Sequence, residues 1–181
     1  MSDIAAKLDI IVPHYKEPWE VGQKFFAMLD LQRGVDFQKD FRVLLVHDGT
    51  EPFPDDYFAN RPYRVEQIVA DHGGVSAARN VGIKAATADW VMFCDFDDIF
   101  THVYSLRDYT SVLPTDRYDM MWSDFIAEDV NKNGVMGLHR RGQNVVFIHG
   151  KIYRRKFILA NDLWFDTDLS FNEDSFYNGQ L

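Results

Sequence analysis

The chain has 181 residues, 46% of them hydrophobic and 15% aromatic, and a formal net charge of −9 at pH 7. That length supports one domain with a sizeable core, and the aromatic content excludes a disordered acidic chain. No basic run is longer than Arg154-Arg155-Lys156, which excludes binding to a nucleic-acid backbone through clustered positive charge.

Met1–Lys7 lacks the apolar segment of a secretory leader, and no stretch approaches ~18 consecutive apolar residues. A cytoplasmic protein with no transmembrane segment is the expectation. Leu8–Pro13 then reads as a buried strand stopped by its proline. Pro18 stands where a helix starts, and Val21, Phe25, Met28, Leu29 and Gln32 follow at helical spacing. Phe41–Val46 reads as a second buried strand, ending in His47-Asp48-Gly49-Thr50. Residues 51–63, with Pro52, Pro54 and Pro62, read as loop.

Arg64–Val69 is a shorter third strand. Gly73-Gly74 opens an Ala-rich helix over about Val75–Ala86, and Trp90–Cys94 is a fourth strand. Helical spacing returns through Val103–Leu113 and stops before Pro114. Tyr118–Ile126 and Val135–Ile148 read as strands flanking an Asn131–Gly134 turn, and helices are expected over Arg154–Ala160 and from Glu173 onward. Trp122, Trp164 and Phe165 read as core, with an exposed aromatic platform as the other reading. The lone cysteine, Cys94, permits no internal disulfide and reads as a buried thiol.

Strand–helix alternation in the first hundred residues predicts an α/β fold, a mostly parallel sheet with helices on both faces. Ligands bind outside the carboxyl ends of such strands. Three segments end there: Pro13-His14-Tyr15, His47-Asp48-Gly49 and Asp95-Phe96-Asp97-Asp98. The last carries the most chemistry. Carboxylates packed together repel and shift each other's ionisation, and a hard cation such as Mg²⁺ or Mn²⁺ relieves that repulsion while binding phosphate oxygens. Metal-assisted handling of a phosphorylated ligand is one reading; Asp97 or Asp98 capping the next helix is the other.

Ile10–Glu17, Val46–Thr50, Gly74–Gly82, Asp95–Asp98 and Asn172–Asp174 occur in the order and spacing of a known family. Together they resemble the family 2 glycosyltransferases, which have the nucleotide-sugar-binding GT-A fold. The resemblance implies one domain over 1–181, with a nucleotide-binding half to about residue 100 and an acceptor-side half beyond it. Relatives continue past the Glu-Asp segment, so the acceptor half reads as incomplete. It departs from the family at His47, where the first Asp of an acidic pair is usual, and at His72, where Asn is common.

The resemblance implies Asp95 and Asp97 as the pair touching ribose and metal, with Asp98 in support. Asp174 is implied as the general base for an inverting transfer from a nucleotide-diphosphate sugar, UDP-sugar favoured, to a hydroxyl acceptor. Its pKa would need raising by an apolar surround, for which Phe171 and Phe176 are the candidates. Glu173 takes a structural or acceptor contact. Asp48 would accept a hydrogen bond from the nucleotide base, or only shape its turn. Pro13 and Tyr15 would flank the base; Glu17 acts there or is a solvated acid. Arg79 would pair with phosphate or with Asp95, or form a structural ion pair. Lys151 and His149 would line the diphosphate or acceptor side, His149 also being a possible metal ligand. The other histidines are assigned nothing. A non-catalytic nucleotide-sugar-binding module and a sugar nucleotidyltransferase are the rival readings.

Overall fold

The computed structural model describes residues 6–113, 117–142, 146–169 and 171–181. The expected helix stop at Pro114 lies outside them. Strands β1 (Leu8–His14), β2 (Phe41–Asp48), β3 (Arg64–Ala70) and β4 (Trp90–Phe93) are joined by helices α1 (Trp19–Asp30) and α2 (Gly74–Ala85) and a loop with one 3-10 turn. After β4 come α3 (Ser105–Val112), β5 (Met120–Trp122), a hairpin of β6 (Phe125–Val130) and β7 (Met136–Arg141), β8 (Lys151–Arg154), α4 (Arg155–Ala160) and α5 (Glu173–Gly179).

Six strands form one sheet in the order β3-β2-β1-β4-β8-β5, and β6-β7 stand apart as a two-stranded sheet. β3, β2, β1 and β4 run parallel, while β8 is antiparallel to both of its neighbours. The chain lays β2 and β3 on one side of β1 and then returns to place β4 on the other. That reversal opens a crevice between the carboxyl ends of β1 and β4, the usual ligand position in such sheets.

β1, β2 and β4 are almost wholly buried, as continuous apolar runs must be when both sheet faces are covered. Alternation divides each strand between two cores. Leu8, Ile10 and Val12 face a cluster with Phe25, Phe26 and Leu29 of α1. Ile11 faces the opposite cluster, with Ala78 and Ile83 of α2 and Tyr177 of α5. Fully burying one such side chain contributes about 1.5–3 kcal/mol.

The second half departs from expectation. The strand expected over Tyr118–Ile126 is two elements, β5 in the main sheet and β6 in the hairpin. The strand expected over Val135–Ile148 stops at Arg141, and a further strand, β8, precedes α4. Phe165 is in the core, stacked on Tyr177 at 4.0 Å, whereas Trp122 on edge strand β5 is 54% exposed. No described helix is long and apolar enough to cross a membrane.

Candidate active site

A cleft of about 430 Å³ occupies the crevice. Its walls include Pro13 near the end of β1, Tyr15 and Glu17 after it, Asp48 at the end of β2, Arg79 of α2, Asp95 and Asp97 after β4, and Glu173 at the start of α5. Residues spread over most of the chain meet because every contributing strand points its carboxyl end the same way.

Each wall is built by local chemistry. After β1, the Tyr15 N–H donates to Glu17 Oε2 at 2.7 Å, closing a tight turn in which Lys16 takes φ 63°. After β2, the buried Asp48 carboxylate accepts from the Gly73 and Gly74 N–H groups at 2.7 and 3.0 Å and pairs with His72 Nδ1 at 2.8 Å. Asp48 therefore caps α2 from outside that helix, satisfying amide groups that no residue of α2 caps. Gly49 has φ 69°, and a Cβ there would lie 3.0 Å from the His72 backbone, so a side chain is excluded twice over. The Tyr15 and His72 rings stack at 4.5 Å.

After β4, the chain turns at once. The Asp98 N–H donates to the Asp95 carbonyl at 3.1 Å, and the Asp98 carboxylate accepts from the Asp95 N–H at 3.0 Å. This local cap leaves Asp97 exposed in the cleft and turns Asp98 toward a neighbouring cavity of about 120 Å³, which His149 also lines.

Arg79, 2% exposed, joins the two ends of the site. Its Nη2 donates to Asp95 Oδ1 at 2.8 Å, and its Nη1 reaches Asp174 Oδ1 at 3.0 Å and Glu173 Oε1 at 3.4 Å. The guanidinium is thus committed to carboxylates, a fork geometry lysine could not supply. Beside it, Asn80 exchanges two bonds with the Phe165 backbone, at 2.8 and 2.9 Å. Consecutive residues of α2 thereby fix both the acidic centre and the segment that leads to α5.

The carboxylates diverge in basicity. Burial pushes Asp95 up, but the His149 hydrogen bond and the Arg79 charge outweigh it and hold Asp95 at about 2. Burial raises Asp98; His149 opposes that rise, while Asp95 and Asp97 add to it. Burial also raises Asp174, opposed by Arg79 and by the Ile148 N–H and reinforced by Glu173 and Asp95. Phe171 and Phe176 are 77% and 49% exposed and do not provide that burial. His149 stays easily protonated: burial acts against its charge, but the bond to Asp95 and the charges of Asp98, Asp95 and Asp174 prevail.

His149 Nε2 lies 3.3 Å from Asp95 Oδ2 and 3.4 Å from Asp98 Oδ2. Among the described residues, Asp95, Asp98 and His149 offer ligand atoms within 4.8 Å of one another. Two carboxylates and an imidazole make a donor set that fits a divalent cation. Asp97, singled out with Asp95 in the sequence, faces the cleft on the other side of the same turn. Lys151 is set apart: its ammonium is buried in β8, bonds Asn178 Oδ1 at 2.9 Å, and is lowered to about 8 by burial against the pull of Asp174.

His14 and His72 also line the cleft. The sequence pattern assigns no role to His14, although it follows Pro13 at a strand end. What marks it is its cross-strand partner His47, which only the β1–β2 register reveals.

Comparison with known proteins matches residues 9–168 to the model of glycosyl transferase family 2. The uncharacterized glycosyltransferase EpsJ of Bacillus subtilis is 27% identical over 162 residues, spanning 77% of this chain and 46% of EpsJ. The structure of TarS from S. aureus in complex with UDP superposes with a TM-score of 0.71 at 21% identity, over 95% of this chain and 54% of that one. The mannosyltransferase PcManGT from Pyrobaculum calidifontis, in complex with GDP-Man and Mn²⁺, gives 0.65 at 14% identity, over 94% of this chain and 50% of that one. The chain thus spans about half the length of each of these three proteins. The chain belongs to the family 2 glycosyltransferases and has their GT-A architecture.

Proposed function

We propose that this domain binds a nucleotide-diphosphate sugar, UDP-sugar favoured, and transfers the sugar to a hydroxyl acceptor with inversion. The observation that carries this reading is Arg79, which holds Asp95 and Asp174 on one guanidinium at the edge of the cleft. Such a transfer needs a metal-binding acid close to a proton-accepting acid, and the bonds of Arg79 to both Asp95 and Asp174 support those two roles. The UDP complex of TarS and the GDP-Man and Mn²⁺ complex of PcManGT support a nucleotide in the cleft and a cation beside it.

In this reading the base lies against Tyr15 and the Pro13 carbonyl. Asp48 has spent three of its roughly four acceptor sites on α2 and His72, which leaves one for a ring N–H of uracil. Asp95 and Asp97 would hold the divalent cation, with Asp98 and His149, whose ligand atoms converge on those of Asp95, in support. When bound, the cation supplies charge stabilisation to the leaving diphosphate. Asp174 takes the proton of the acceptor hydroxyl as that oxygen attacks the anomeric carbon from the face opposite the diphosphate. No covalent sugar–enzyme intermediate forms. Arg79 keeps Asp174 aligned, and the net raising of Asp174 makes it a better base than an exposed carboxylate.

Calorimetric titration of UDP, GDP and TDP, with and without Mn²⁺, tests the donor site on wild type and Asp97→Ala. Metal-dependent UDP binding that Asp97→Ala loses is the expected result. Absence of binding by any nucleotide under either condition would falsify the donor-site reading for this chain.

A further inference from the structure

One buried cluster is unused by that chemistry. His14 and His47 lie side by side in the β1–β2 register, 4% and 0% exposed, with their Nδ1 atoms 2.9 Å apart. The protons on the four ring nitrogens can be counted from their partners.

His47 Nε2 lies 3.0 Å from Gln67 Oε1. The orientation of that amide is pinned, because Oε1 accepts from the Phe53 N–H and Nε2 donates to the Phe53 carbonyl, each at 2.9 Å. Gln67 Oε1 can only accept, so His47 Nε2 carries a proton. His14 Nε2 lies 2.8 Å from the Glu17 carbonyl, which also can only accept, so this nitrogen carries one too. A neutral imidazole has a single N–H. Two neutral rings would therefore aim bare Nδ1 lone pairs at each other across 2.9 Å, a repulsive contact inside a buried site. A third proton between them removes the conflict.

We propose that His14 and His47 share one extra proton, and that this Nδ1–H···Nδ1 cation is a positioning device for the nucleotide-binding turn Pro13–Glu17. The second half of the proposal rests on the nucleotide reading of the cleft; the proton count does not.

The charge resides on His14. Glu17 Oε2 is 3.8 Å from His14 Nε2, so the imidazolium has a carboxylate beside it as well as the Glu17 carbonyl. His47 has the neutral Gln67 as its other partner, and burial, only partly offset by Gln67, depresses it to about 4. The remaining groups against the pair are Thr50 Oγ1, 3.3 Å from His14 Nδ1, the rings of Phe53 and Phe96, and Asp55, which reaches the pair only through Gln67.

The mechanical consequence lies in the turn. Lys16 takes the left-handed conformation, which is strained for a non-glycine residue. Two contacts oppose that strain: His14 to the Glu17 carbonyl, and the Tyr15 N–H to the Glu17 carboxylate. Loss of the shared proton sets the Nδ1 atoms against each other, draws His14 away from Glu17, and releases Tyr15 from its place opposite His72.

Nitrogen-15 NMR of the imidazoles in the whole chain at neutral pH tests the count directly. Three protonated nitrogens and one bare one, the latter on His47, are expected; one bare nitrogen on each ring overturns the shared proton. UDP affinity in Mn²⁺, measured by calorimetry from about pH 6.5 to about pH 9, tests positioning. Wild type should lose about tenfold as the pH rises, the worth of one charge-assisted bond. His47→Asp, which gives the imidazolium a carboxylate partner, should hold its affinity to higher pH, and His14→Gln should bind weakly with a flat profile. Parallel losses in wild type and His47→Asp overturn the positioning role. Failure of all three proteins to bind UDP at any pH overturns the nucleotide reading and the positioning role with it, while the nitrogen spectrum still decides the shared proton.

Discussion

Asp174 and Arg79 are separated by 95 residues in the chain and by one hydrogen bond in space. With Asp174 as the base, Asp174→Asn should lower kcat by roughly 10²–10⁴-fold and leave UDP affinity unchanged, read by initial rates beside calorimetry. The pH profile gives a second check. The base works ionised, and its pKa is raised, so kcat/KM should fall as pH drops through a value above the ordinary ~3.9 of an aspartate. The Glu173 charge adds to that rise. Glu173→Gln should therefore move the acid limb to lower pH; an unmoved limb would reject Asp174 as the group titrating there. The triple carboxylate of Asp95, Asp97 and Asp98 was legible in the sequence because its members are neighbours. The resemblance also offered Arg79 as a partner of Asp95, and the two do pair; the ties to His149 and, through the same guanidinium, to Asp174 were not legible, because no local pattern encodes which distant group settles beside an acid.

At the scale of elements, the apolar strands β1, β2 and β4 were readable because burial on both faces demands unbroken hydrophobic runs. β8 was not. Lys151-Ile-Tyr-Arg154 carries a basic residue at each end, and its burial pattern is made by distant partners: Lys151 meets Asn178 of α5, and the Arg154 guanidinium lies 4.6 Å over the Trp90 ring. The hairpin was misjoined for a related reason, since exposed strands with mixed charge show no clean alternation. Helix α2 depends on intimate contact with β1: a Cβ on Gly82 would run into the Ile11 side chain. Gly82→Ala should push the helix outward and cost about 1–3 kcal/mol, measured by urea denaturation. UDP binding should weaken with it, because Arg79 rides on the same helix. A neutral effect on both would show that the helix sits more loosely than the structure has it.

Across the whole molecule, stability and function are separated along the strands. At the end of the sheet away from the cleft, the fully buried Asp9 accepts from Arg42 Nε and Nη2 at 2.7 and 3.1 Å and from the Thr87 and Ala88 N–H groups at 2.7 and 2.9 Å. Asp9→Ala takes away the fully buried partner of Arg42, leaving the half-exposed Glu66 at 2.7 Å as the other carboxylate the guanidinium meets, and should cost roughly 3–5 kcal/mol. UDP affinity of the protein that remains folded should not change. The sequence by itself determined the parallel α/β class, the site's place at the strand ends and the acids after β4, because burial period and adjacent carboxylates are local quantities. Tertiary structure alone decided the strand order that opens the crevice, the guanidinium shared by Asp95 and Asp174, and the meeting of His14 with His47. Those depend on which strands become neighbours and in what register, and that is settled by the packing of both faces of the sheet at once.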